Sequence, residues 1–162
     1  MRAHEPASGS ILSGNLNISQ FSISEWRKHI SIIPQRESLF DGTALENIVL
    51  GDNKPDIDKV LELCEAVGMI DFIKNQPKGL ATPVGEGGKF LSAGERTKIA
   101  LIRALYRSPQ IIIMDEVTSH LDTASSQMII ALARRLADEG KTIINITHDR
   151  KFLEISDYVV NL

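Results

Sequence analysis

Apolar residues recur at helical spacing in three long stretches of the chain. These stretches are residues 56–67, 96–107 and 123–139. Gly68 ends the first and Gly140 ends the third. A stripe with this period predicts a helix that packs one face on a core. The residues expected to face inward are Ile57, Val60, Leu61, Cys64 and Val67 in the first helix, Ile99, Ile102, Leu105 and Tyr106 in the second, and Met128, Leu132 and Leu136 in the third. Shorter helices are predicted at residues 24–27, 44–49, 70–74 and 149–155.

Strands are indicated by short apolar runs between these helices. Residues 110–114 and 142–146 are nearly continuous apolar runs, which are typical of strands buried on both faces. A further strand at residues 30–33 ends at Pro34, a last one is predicted at 158–162, and residues 7–20 predict a hairpin. Strands and helices alternate in the second half, which predicts a parallel sheet covered by helices. Ligands bind at the carboxyl ends of the strands in such sheets.

Three polar side chains are expected at that edge of the sheet. Asp115 and Glu116 end one apolar run, and His148 follows the next. One carboxylate could hold Mg²⁺, and the other could orient or deprotonate a water that attacks a phosphoryl group. The His148 imidazole could hydrogen-bond a terminal phosphate. The alternative is a pair of solvated turn carboxylates and an exposed histidine.

The residues Leu91-Ser92-Ala93-Gly94-Glu95 precede the second long helix. Ser92 and Glu95 have the spacing of a capping box, in which each side chain satisfies a free N–H at the helix start. The same helix start, with Gly94 allowing close approach, could present N–H groups to a phosphate. These two interpretations are compatible.

For two polar residues outside these motifs, the sequence allows more than one role. Gln35 follows Pro34 and could reach a metal or water through its side-chain carbonyl, or be an ordinary loop residue. Asp122 is expected to cap the following helix, with a contact across an interface as the second possibility.

Composition narrows the class of protein. The chain has 162 residues, a formal net charge of −3 and no basic block, so nucleic-acid binding is not expected. Its single cysteine, Cys64, excludes an internal disulfide and is expected to pack in the core. No apolar run is long enough to cross a bilayer, and the N-terminus does not resemble a signal peptide.

Taken together, the motifs resemble the later part of an ATP-binding cassette (ABC) ATPase domain. Residues 91–95 resemble the family signature, usually LSGGQ, and residues 111–116 resemble Walker B with the catalytic glutamate. Residues 119–122 resemble the D-loop, His148 the switch histidine, and Pro34-Gln35 the Q-loop. Residues 40–43, 46–48 and 85–88 are most similar to exporter-type domains, of the bacterial peptide, toxin or type I secretion kind. ABC ATPases that handle DNA are a poorer match.

The resemblance implies a fold, ligands and partners. The implied fold is a P-loop NTPase-like α/β parallel sheet, flanked by helices and carrying a helical subdomain. The implied ligands are ATP and Mg²⁺. Glu116 and His148 would be catalytic, Asp115 and Gln35 would bind metal, and the nucleotide would contact Gln35, Ser92, Ala93, Gly94, Glu95 and Asp122. The partners would be a second ABC ATPase domain, arranged head to tail, and transmembrane domains that hold the chain at the cytoplasmic face of the cell membrane.

One family motif is absent from the sequence. The Walker A loop, G-x-x-G-x-G-K-[ST], is expected shortly before Glu5, and no residues there or elsewhere match it. By the resemblance, the chain lacks the N-terminal P-loop strand and helix. It would be a partial domain, with a small β part at 1–35, a helical subdomain and signature helix at 36–108, and the Walker B, D-loop and switch-histidine part at 109–162.

Two hypotheses about function follow from the missing loop. In the first, the chain is part of an exporter ATPase whose Walker A lies outside it, and it is inactive alone. In the second, it is a non-catalytic module that donates its signature to a partner ATPase. An exposed apolar sheet edge would argue against stable solitary folding, and the first hypothesis is favoured.

Overall fold

The computed structural model describes residues 4, 6–36 and 38–161 of the chain. The strands are β1 (Leu12–Ser13), β2 (Leu16–Asn17), β3 (Ile30–Ile33), β4 (Ile111–Asp115) and β5 (Thr142–Ile146). The helices are α1 (Ile23–Lys28), α2 (Ala44–Val49), α3 (Ile57–Ala66), α4 (Ile70–Asn75), α5 (Ala93–Tyr106), α6 (Thr123–Asp138) and α7 (Arg150–Ile155). Short 3₁₀ turns cover Ile18–Gln20, Gly79–Ala81 and Glu86–Gly88.

The central sheet is parallel, with the strand order β3-β4-β5. Ile33 lies opposite Met114, and Asp115 lies opposite Ile146, so the carboxyl ends of the three strands are aligned. β1 and β2 form a separate antiparallel hairpin. A parallel sheet with helices packed on it confirms the predicted α/β class.

The main core lies between the sheet and the helices, and α5 runs through it. Ile99, Leu101 and Ile102 of α5 are fully buried, together with Ile112 and Met114 of β4. α2 and α3 pack on the other side of α5. Cys64 of α3 is also fully buried in this core, which confirms the packing role predicted for it.

The prediction that β5 is buried on both faces is wrong. Ile144 is 47% exposed and Ile146 is 54% exposed, whereas Ile143 packs against the core. Among the described strands β5 forms one edge of the sheet. α6 packs on one of its faces, and Ile144 and Ile146 lie exposed on the other. An apolar strand can thus have the composition of a buried strand without being covered.

Two smaller predictions also fail. Residues 158–161 are not a strand, and Tyr158 and Val160 are strongly exposed; Leu162 lies outside the described residues. Ile57, at the start of α3, and Met128, in α6, are exposed rather than inward. Met128 instead lies over Gly68, where an added Cβ would be 2.9 Å from its sulfur. Within the described part of the chain, none of the helices combines the length and hydrophobicity of a membrane span.

Candidate functional site

Glu116 adopts a strained backbone conformation immediately after β4. Its φ is +51°, in the left-handed region that side chains other than glycine rarely occupy. Its N–H donates to the carbonyl oxygen of Ile146 at 2.9 Å, and its own carbonyl accepts from the N–H and hydroxyl of Ser119 at 3.1 and 2.8 Å. The strain costs on the order of 1 kcal/mol, and such residues cluster at functional sites because their surroundings fix them.

The side chain of Glu116 lies close to that of His148. Nε2 of His148 is 3.7 Å from Oε1 of Glu116, and the imidazole is 99% exposed whereas the carboxylate is only 20% exposed. The two strand ends therefore meet as the sequence predicted. A partly shielded carboxylate beside an exposed imidazole can take a proton from a water while the imidazole reaches an anion above it.

Asp115 is the last residue of β4 and is partly buried beside Glu116. Its carboxylate is the type of hard oxygen ligand that Mg²⁺ prefers. The described residues contain no group of three His, Cys, Asp or Glu side chains that could hold a metal. This donor set fits Mg²⁺ bound by one carboxylate with waters and substrate phosphate, the usual arrangement for that ion.

A second link between the same two strand ends was missed from the sequence. The hydroxyl of Thr118 donates to the carboxylate of Asp149 at 3.3 Å. Asp149 also caps α7 by accepting from the N–H of Lys151 at 3.0 Å, and its own N–H donates to the Thr147 hydroxyl at 2.9 Å. An Asp directly before a helical run is an N-cap signal, so the sequence could have indicated this role.

The capping box at the start of α5 is confirmed. The N–H of Glu95 donates to Oγ of Ser92 at 3.2 Å, and the N–H of Ser92 donates to Oε2 of Glu95 at 2.7 Å. The N–H groups of Ala93 and Gly94 also lie in the first turn, and the N–H groups at a helix start have no acceptor within the helix. Ser92 is exposed, so this turn faces solvent and could receive a phosphate.

The start of α5 lies against the turn that follows Glu116. A Cβ added to Gly94 would be 3.4 Å from the carbonyl oxygen of His120 and from Cδ2 of Leu121. The turn itself is closed by a hydrogen bond from the N–H of Leu121 to the carbonyl oxygen of Thr118 at 3.1 Å. The two regions that the sequence selected for phosphate chemistry are therefore neighbours.

Asp122 and Gln35 differ in how well the structure defines them. Asp122 caps α6 through hydrogen bonds from the N–H and hydroxyl of Ser125, both at 2.8 Å, and these bonds lower the pKa of its carboxyl group. Its capping role is confirmed. Gln35 is exposed just beyond β3, and among the described contacts none joins it to Asp115, so its metal role stays a prediction.

A family model described as ABC transporter matches residues 1–119 of the chain. The ABC multidrug transporter MDR2 of Trichophyton rubrum is 33% identical over 160 residues, which are 98% of this chain and 12% of that protein. A putative export ATP-binding/permease protein of Rickettsia conorii is 35% identical over 160 residues, which are 99% of this chain and 28% of that protein.

A solved structure shares the fold. The structure of a bacterial Atm1-family ABC exporter with ATP bound matches with a TM-score of 0.87 and 33% identity, over 95% of this chain and 27% of that one. The chain thus spans about an eighth to somewhat more than a quarter of the proteins it resembles. The match of the family model and these relatives, together with the motifs at the carboxyl edge of the sheet, show that the chain belongs to the ABC transporter family, as an ATP-binding domain sequence of the exporter type.

Proposed function

We propose that this chain takes part in ATP binding and hydrolysis that power transmembrane export, with the Walker A loop supplied from outside the chain. It acts at the cytoplasmic face of a membrane, held there by transmembrane domains. The observation that carries the proposal is the 3.7 Å approach of Glu116 and His148 at the carboxyl edge of the sheet.

The geometry supports separate chemical roles for these side chains. The Glu116 carboxylate is shielded and its backbone is fixed by Ile146 and Ser119, so it can hold and deprotonate an attacking water. The exposed His148 imidazole can donate a hydrogen bond to the terminal phosphate. Asp115 would hold Mg²⁺, which supplies charge neutralisation between the phosphates.

The exposed first turn of α5 supports a role across an interface. Its capping box already satisfies Ser92 and Glu95, so Ala93 and Gly94 point free N–H groups and the positive end of the helix dipole outward. A nucleotide held mainly by a second ATPase domain, arranged head to tail, would meet this turn. Asp122 directly follows His120 and Leu121, which lie against Gly94. It would then lie near the shared interface in addition to capping α6.

The edge of β5 supports a Walker A segment that lies outside the chain. Both polar atoms of the Asn145 side chain are buried without a hydrogen-bond partner among the described residues, while the neighbouring Ile144 and Ile146 are exposed. Buried amides are almost always satisfied, and a parallel strand usually has covered faces. A further strand beside β5 would pair with its open edge. A helix following the phosphate-binding loop would cover the face that exposes Ile144 and Ile146.

The exposed signature turn also favours a second candidate function. The chain could be a non-catalytic module that gives Ser92, Ala93, Gly94 and Glu95 to a partner ATPase without hydrolysing a nucleotide at its own Glu116. Under both candidate functions the turn at 92–95 would contact the partner's nucleotide. Only ATP hydrolysis by this chain requires chemistry at the carboxyl edge of the sheet.

The experiment that separates the two expresses the chain together with the coding sequence immediately upstream and measures ATP hydrolysis and binding. We expect Glu116→Gln to lower the hydrolysis rate by about 10²-fold or more, because the general base is lost, while ATP binding is retained. The control is Glu139→Gln, which removes an exposed carboxylate at the end of α6.

Two outcomes would count against the proposal. Unchanged turnover in Glu116→Gln would remove Glu116 from the role of base and favour the non-catalytic module. Micromolar ATP affinity of the purified 162-residue chain alone would contradict the need for an external Walker A loop.

A further inference from the structure

Arg103, in the last turn of α5, makes three hydrogen bonds to amide oxygens of two other segments. Its Nε donates to the carbonyl oxygen of Asn47 at 2.7 Å, and a terminal nitrogen donates to Oδ1 of the same residue at 3.0 Å. The other terminal nitrogen donates to the carbonyl oxygen of Ser38 at 2.8 Å. The guanidinium fork therefore bridges α5, the end of α2 and the segment between β3 and α2.

Asn47 completes this arrangement from a fully buried position in α2. Its Oδ1 also accepts from the N–H of Phe40 at 3.1 Å, and its Nδ2 donates to the carbonyl oxygens of Phe40 and Thr43, both at 3.0 Å. The amide thus uses both its donors and its acceptor oxygen, and a network satisfied in this way is rigid. The sequence placed Asn47 in a segment similar to exporter-type domains, but it did not indicate the contact with Arg103.

The network has a defined place relative to the candidate site. Ser38 lies three positions after Gln35 in the sequence, so the hydrogen bond from Arg103 ties the chain to α5 close to Gln35. Arg103 lies eleven residues after Ser92 on the same helix, which corresponds to about 16 Å along the helix axis. The Gln35 loop and the first turn of α5 are therefore attached to two points of one rigid element.

We propose that Arg103 and Asn47 are positioning residues for Gln35. They fix Ser38 and Phe40 to α5, so that Gln35 and the turn at 92–95 keep one relative placement. The expected effect on nucleotide and metal binding rests on the proposed function, since it assumes that Gln35 is a ligand. The attachment itself does not depend on that assumption.

Lysine at position 103 gives the sharpest test in the full chain. Lys keeps the charge and the aliphatic stem but cannot reach three oxygens with a planar fork. We expect Arg103→Lys to speed hydrogen exchange of the Phe40 amide by about tenfold, the change from weakening a charge-assisted network. The NMR signals of the Gln35 side-chain amide should shift as well. Exchange at Ile129, in the core of α6, should not change.

The matched control is Arg107→Lys, which changes an exposed arginine one turn further along the same helix. Asn47→Asp provides a second variant, because it keeps an acceptor for Phe40 but removes both donors, and it should loosen the same segment. Exchange that rises equally at Phe40 and Ile129 would show a general loss of stability and overturn the proposal, as would unchanged exchange at Phe40.

A kinetic readout then tests whether the placement of Gln35 matters. In the chain expressed with its Walker A segment, Arg103→Lys should raise KM for ATP and for Mg²⁺ about tenfold while kcat at saturation changes little, because the tether acts on binding geometry. A loosened segment with unchanged KM would overturn the positioning role. Absence of hydrolysis by the unmutated protein would instead refute the proposed function, and the exchange result would still report on the tether.

Discussion

The carbonyl oxygen of His120 lies 3.4 Å from the point where a Cβ on Gly94 would be. The first turn of α5 and the turn after Glu116 are thus neighbours, although His120 lies 26 positions after Gly94 in the sequence. A Cβ at position 94 would make an ordinary van der Waals contact here, so the fold can accept a side chain at this position.

This contact predicts that Gly94→Asp separates stability from function. A carboxylate in the first turn of a helix is favourable for the fold, because it interacts with the positive end of the helix dipole. The same charge would repel a phosphate. We expect a thermal midpoint close to that of the unmutated chain, and loss of ATP-dependent association with a second ATPase domain measured by light scattering or sedimentation.

The control for this substitution is Gly94→Asn, which has nearly the same shape and no charge. If the effect is electrostatic, Gly94→Asn should retain more ATP-dependent association than Gly94→Asp. Equal loss in both variants would indicate steric exclusion, and full association of Gly94→Asp would argue against a phosphate at this turn.

Asp122 provides a pH-dependent prediction. The hydrogen bonds from the N–H and hydroxyl of Ser125 lower the pKa of its carboxyl group in the folded state. Its contribution to stability is therefore present above the ordinary carboxyl pKa of about 4 and is lost as the pH falls through the folded value. We expect the free energy of unfolding in urea to fall less steeply on acidification in Asp122→Asn than in the unmutated chain.

Asparagine caps helices about as well as aspartate, so Asp122→Asn should be nearly neutral at pH 7. Asp122→Ala should destabilise the chain at pH 7, because alanine cannot accept the hydrogen bonds from Ser125. Asp58→Asn, in the exposed first turn of α3, is a control for removal of one carboxylate. An unchanged acid profile in Asp122→Asn would contradict the coupling between this cap and stability.

Cys64 predicts the behaviour of the chain at alkaline pH. Burial raises the pKa of its thiol from 9.0 to about 11. The unfolded thiol ionises first, so the stability that the buried neutral thiol contributes is present below pH 9 and is lost as the pH rises toward 11. The stability difference between the unmutated chain and Cys64→Ala should therefore shrink as the pH rises over this range.

The same residue gives a simple chemical assay. As the single cysteine, Cys64 should react with iodoacetamide only when the chain opens, so its alkylation rate should rise steeply across the urea transition. Rapid alkylation of the folded chain would contradict its burial.

Much of the fold was predictable because it depends on local signals. The start of α5 follows from Ser92 and Glu95, α2 follows from a second capping box at Thr43 and Glu46, and the end of α3 follows from Gly68 with φ of +65°. Motif spacing also placed Glu116 and His148 at one edge, since parallel strands align their carboxyl ends.

What could not be predicted depends on neighbours distant in sequence. The residues of β5 have the composition of a strand with both faces covered. Only the structure shows that β5 is an edge strand whose Ile144 and Ile146 are exposed. Met128 fits the inward stripe of α6, but it packs over Gly68. The Arg103–Asn47 network joins residues 56 positions apart, and a single arginine or asparagine carries no periodic signal.

The left-handed backbone of Glu116 makes stability and chemistry compete at one position. Glycine or asparagine there would relieve strain, because both tolerate positive φ far better than glutamate. A screen of random variants for thermal stability alone would therefore enrich substitutions of Glu116. The selected proteins would be more stable but would lack this carboxylate. Under the proposed function, glutamate would be retained in such a screen only by selection for turnover. The residue would then mark whether a variant population is still selected for hydrolysis.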